Sequence, residues 1–172
     1  MKKLIVFFLA FLFFLFACYL TPALKIYDIA PDFVLLLLAA LMPYCGVMTL
    51  LPVAAVMGVF LDTTLSGGLY FNTVIYLLSA LAFGIFRSVL PKNPYFSVPI
   101  ALVGAVVIRY FISMFALYVM SIHSDISILY FLKAVPTALY NVLLVLPLVF
   151  LFGRLFSWKR LQEKEETEPF HL

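Results

Sequence analysis

The sequence predicts an all-α polytopic membrane protein with six transmembrane helices, and three observations predict it. Of the 172 residues, 66% are hydrophobic and 11% charged, against about 45–50% and roughly 25% in soluble domains. A soluble chain of this size leaves about 30% of its unfolded surface exposed after folding, and this one has too few polar residues to cover that share. The apolar runs exceed the roughly ten alternating residues of a transmembrane strand and approach the ~20 of a spanning helix. The few Lys and Arg gather at the ends of those runs. A soluble enzyme, a disordered linker and a secreted disulfide scaffold are excluded. The net charge of +3 does not indicate nucleic-acid binding, because no basic stripe interleaved with aromatics exists.

The first run is Leu4 to Leu20, about the minimum length for a span. Thr21 to Asp32 is broken by Pro22, Lys25, Asp28 and Pro31. Phe33 to Leu61 carries no charge and is too long for one upright helix across a ~30 Å core. Met42-Pro43-Tyr44-Cys45-Gly46 interrupts it, so the run is one kinked helix or two short ones. Asp62 to Gly68 is a loop with paired glycines, and Tyr70 to Phe86 is the next span. Arg87 to Ser97, with Pro91, Asn93 and Pro94, reads as a loop. Val98 to Met120 and Phe131 to Gly153 complete the spans. Residues 1–156 form one six-helix transmembrane domain, and 157–172 a short charged cytoplasmic tail.

Lys and Arg accumulate on cytoplasmic flanks. With the Phe33–Leu61 run split, Lys2, Lys3, Arg87, Lys92, Arg154, Lys159, Arg160 and Lys164 share one side, against Lys25 and Lys133 on the other. Five helices give a poorer division, so six helices with both termini cytoplasmic are preferred. Asp28, Asp32, Asp62 and Asp125 then fall on the outer side, as a rim on which a partner can dock.

Polar groups inside spans are costly and mark candidate functional positions. Arg109 and Asn141 lie near the middle of their runs. They can form a buried polar seam, guanidinium to amide oxygen, holding helices together or lining a cavity. The competing reading has Arg109 snorkelling to a headgroup and Asn141 bonding backbone freed by Pro136 or Pro147. Asp62 can bond N–H groups of the Gly-rich turn, and Asn72 can cap a helix or bond across helices. Asn72, Tyr76, Ala80 and Gly84 make a stripe suited to close packing. Cys45 and Cys18 read as small buried apolar residues. Leu15-Phe16-Ala17-Cys18 also faintly resembles a lipoprotein processing site. There is no Gly-rich phosphate loop, Ser/His/Asp arrangement or paired His on a helix, and His123 with Asp125 reads as a solvated pair. Neither catalysis, a cofactor nor a metal is expected.

One ordered set of motifs goes further. Ala30-Pro31-Asp32-Phe33 opens an apolar helix, Gly58-Val59-Phe60-Leu61-Asp62 follows, then Ser66-Gly67-Gly68 leads to Asn72. The set resembles the MreD family of bacterial rod-shape-determining proteins, as do Tyr140-Asn141 and Pro147 in the last span. Tyr70 departs from the Gly common after the turn. The resemblance implies signature positions at Pro31, Asp32, Gly58, Asp62, Gly67 and Asn72. It implies a non-enzymatic inner-membrane scaffold of the peptidoglycan-building elongation complex, partnering the bitopic protein MreC. Through MreC it is linked to MreB filaments, a RodA-type glycosyltransferase and a penicillin-binding transpeptidase. The family is similar in fold to the substrate-binding subunits of ECF transporters, so such a subunit is the rival function. Those subunits resemble one another in a small-x-x-x-small strip on the first helix. Ala10 and Ala17, seven apart among Phe residues, do not supply it.

Overall fold

A computed structural model describes residues 11–12, 14–15, 23–25, 29–64, 71–119 and 128–155. Cys18, Asp28, Gly67, Tyr70, His123, Asp125 and the tail lie outside the described residues. Five helices are defined: α1 (Phe33–Leu41), α2 (Val47–Thr64), α3 (Phe71–Val89), α4 (Pro94–Val119) and α5 (Ile128–Leu155). The last four are long and apolar enough to cross a membrane. Among the described residues the regular structure is thus all helical, that of a multi-pass membrane protein.

The charge-free run is two helices. Asp32 caps α1, its side chain accepting from Leu35 N at 3.2 Å. The helix ends where Pro43 has no N–H to continue the ladder. Met42 N reaches back to both Leu38 O and Ala39 O, and Tyr44 and Cys45 N–H groups close the turn on Leu41 O. Gly46 O then receives the first bonds of α2, from Thr49 and Leu50. The two halves are unequal. At nine residues, α1 is about 13 Å long, well short of a ~30 Å hydrocarbon core. It is apolar on every side and buried from Val34 to Leu41, as a helix without a polar face must be. It touches all four long helices, which surround it.

The loop expected over Arg87–Ser97 is much shorter. Asn93 caps α4, its Oδ1 accepting from Tyr95 N at 3.1 Å, with Pro94 in the first helical position. Starting α4 at Pro94 moves Arg109 past the helix middle, rather than at it as expected. On the outside of the bundle, Ile85, Phe111, Phe115, Leu139 and Leu143 are exposed. That is the arrangement for a chain whose solvent is hydrocarbon. Some hydroxyls within spans bond back to their own helix, as Ser79 Oγ does to Ile75 O at 2.8 Å. Among the described residues, no buried side-chain nitrogen or oxygen lacks a partner. Phe14, from the described part of the N-terminal run, packs edge-to-face on Phe60 at 5.5 Å.

Helices α2 and α3 lie backbone against backbone. A Cβ on Gly58 would sit 2.5 Å from Thr73 Cα, and one on Gly84 would collide with the Val47 side chain. Gly58→Ala therefore lowers stability by roughly 2 kcal/mol, because backbone cannot rotate away as a side chain can. Thermal unfolding in detergent measures this. Gly104→Ala, where the added Cβ meets only the Phe86 ring at 3.1 Å, is the milder control. A melting temperature untouched by Gly58→Ala would show that the helices are not in contact there.

Candidate polar hub and cavity

Two polar clusters lie at the end of the bundle where α1 begins. The first is centred on Asp62, which is fully buried near the end of α2. Its Oδ1 accepts from Asn72 N at 3.1 Å and Asn72 Nδ2 at 2.9 Å. Its Oδ2 accepts from Thr73 N at 2.8 Å and Thr73 Oγ1 at 2.7 Å. The carboxylate thus caps α3 from another helix, taking first-turn N–H groups that have no intrahelical partner. Cross-helix bonding by Asn72 was one of its two expected roles. The N–H donors to Asp62 belong to the helix start and not to the expected turn.

The second cluster is centred on Asp32. Its carboxylate makes an ion pair with Arg109 of α4 and accepts from Tyr76 Oη of α3 at 3.2 Å. Arg109 Nη1 donates to the same Tyr76 Oη at 3.1 Å, and the guanidinium lies 5.7 Å from the Tyr76 ring centroid. The backbone N–H of Asp32 donates to Asn141 Oδ1 of α5 at 3.0 Å, and Asn141 Nδ2 donates to Thr137 O at 3.0 Å. One residue therefore ties the entry to α1 to α3, α4 and α5. Thr137 Oγ1 and Tyr110 Oη extend the network at 2.9 Å.

Arg109 and Asn141 are brought to one site, as the seam reading expects, but not to each other. The amide oxygen takes the Asp32 N–H, and the guanidinium takes the Asp32 carboxylate. The expected outer rim is also revised. Asp62 is wholly buried and Asp32 is committed to the hub, so neither offers a carboxylate to a partner; Asp28 and Asp125 lie outside the described residues. Tyr76 and Tyr110 were missed as polar participants. Tyr76 sits on the stripe that reads as packing, and only its place one turn after Asn72 hinted otherwise.

Beside the hub is a cavity of about 610 Å³. Its apolar wall includes Phe14, Val34 and Phe60, and its polar wall Arg109, Lys133 and Asn141. No protein-family model, curated protein or solved structure matches this chain. Its function must therefore be argued from the arrangement itself. Asp32, Asp62, Asn72 and Asn141 all bond within the bundle. Among the described residues, no three of His, Cys, Asp and Glu are grouped to hold a metal ion.

Proposed function

We propose that the protein is a non-catalytic membrane scaffold of the bacterial cell-elongation complex, similar to the MreD family. In this reading six helices cross the inner membrane, both termini are cytoplasmic, and an MreC-like bitopic protein docks laterally. MreB filaments and the glycosyltransferase and transpeptidase that build peptidoglycan are linked through that partner. One observation carries the reading. The motif residues Asp32, Gly58, Asp62 and Asn72 are among those that join helix to helix. Motif positions engaged internally suit a rigid platform, whereas an enzyme needs some of them directed at a substrate.

Affinity purification of the full chain in mild detergent tests this. Recovery of a single-span protein with a large extracytoplasmic domain, and loss of rod shape on depletion, are the expected results. Recovery of an energising transporter subunit without such a protein would overturn the reading. The second reading, a substrate-binding subunit of an ECF-type transporter, is favoured by the cavity that Arg109 and Asn141 border.

A further inference from the structure

Among the described residues, the cavity beside the hub is lined by both apolar and polar side chains, with two cations, Arg109 and Lys133, against one carboxylate, Asp32. Arg109 is matched by Asp32 across the ion pair. Lys133 also lines the cavity and is exposed. Among the described residues, no carboxylate lies within ion-pair distance of Lys133. Tyr110 Oη and Thr137 Oγ1 also line the cavity, bonded to each other at 2.9 Å, with Thr137 Oγ1 donating to the Lys133 backbone carbonyl at 2.7 Å. Phe14, Val34, Leu35, Phe60 and Leu61 line it as well, all apolar. A volume of about 610 Å³ falls within the roughly 300–1,000 Å³ of small-molecule sites, which pair a mostly apolar lining with a few placed polar groups.

We propose that this cavity binds an amphiphile bearing one anionic oxygen group, a phosphate or carboxylate. The anion sits at the Lys133 ammonium. The hydrocarbon lies against Phe14 and Phe60. The chemistry follows from the walls. A neutral apolar guest would leave the Lys133 charge without a counter-ion at the edge of a low-dielectric pocket. A small hydrophilic anion would leave the aromatic wall uncovered. Because the anion is held by Lys133 and not by the Asp32–Arg109 pair, the hub stays intact when the site fills. This inference does not rest on the scaffold reading, and its test involves no partner protein.

Native mass spectrometry of the full chain in a neutral detergent decides it, with three probes. Phosphatidylglycerol represents a membrane source, hexyl phosphate a water-soluble source, and phosphatidylcholine the uncharged control. The expected result is a one-to-one adduct with phosphatidylglycerol or hexyl phosphate, weakened about tenfold by Lys133→Gln, as loss of a charge-assisted contact implies. Lys92→Gln, in the loop before α4, leaves the adduct unchanged. An adduct with phosphatidylglycerol alone, or the tighter one with it, assigns the site to a lipid. The tighter adduct with hexyl phosphate assigns it to a soluble ligand. Equal binding of phosphatidylcholine, equal binding by Lys133→Gln, or no adduct with either anion overturns the proposal. Because Lys133 is exposed, an unchanged melting temperature of Lys133→Gln separates loss of the site from loss of the fold.

Discussion

Arg109→Leu is expected to cost the folded protein roughly 3 kcal/mol, the penalty for removing one partner of a largely buried ion pair. The loss arises because the Asp32 carboxylate, with a side chain only 10% exposed, keeps its charge but not its counter-charge. Tyr76 Oη, which donates to Asp32, cannot neutralise it. Asp32→Asn should cost a similar amount, since the guanidinium then loses the Asp32 counter-charge. The decisive measurement is the double-mutant cycle in detergent unfolding. The double substitution should cost clearly less than the two singles together, since neither charge is then left alone. Additivity within about 0.5 kcal/mol would mean that the pair does not bind α4 to the start of α1. An unchanged Arg109→Leu protein would favour snorkelling of the guanidinium instead.

Asp62→Ala is the second large effect. It removes the acceptor for two backbone N–H groups and two side chains, all at the first turn of α3. An unmade buried donor costs about 1–3 kcal/mol, so a total of roughly 3 kcal/mol is expected after partial rearrangement. Asp62→Asn keeps one carbonyl oxygen and should fall between alanine and the parent. Hydrogen exchange gives the site-specific reading. The amides of Asn72 and Thr73 should exchange faster in Asp62→Ala, while those near Phe83 keep their protection. Uniform exchange across α3 would place the loss elsewhere than in the cap.

Both effects bear on what could be read before the fold was known. The break at Met42–Gly46 was legible because a proline without an N–H and a glycine three residues on act locally, whatever surrounds them. The four long spans were legible because hydrocarbon leaves few choices to a long uncharged run. The loop before α4 was overestimated because Pro94 looks like a breaker from a distance, yet it occupies the one helical position that suits proline. Arg109 and Asn141 could be grouped by their depth alone. Their actual partner could not, because Asp32 carries the ordinary marks of a helix cap at a membrane edge. Only tertiary packing lays that cap against α4 and α5. Asp62 reads as a rim carboxylate for the same reason, although it is buried. Its neighbours in sequence say loop end, and its burial comes from Gly58, which draws the start of α3 against it.

The shortness of α1 carries a consequence for biogenesis. A nine-residue segment falls far below the ~20 residues that hold a helix across a bilayer unaided. No early insertion step can fix it in place on its own merit. Its capping carboxylate needs Arg109 and Tyr76, which emerge from the ribosome only later. The middle of the molecule is therefore expected to settle last, once the helices that wall α1 have been synthesised.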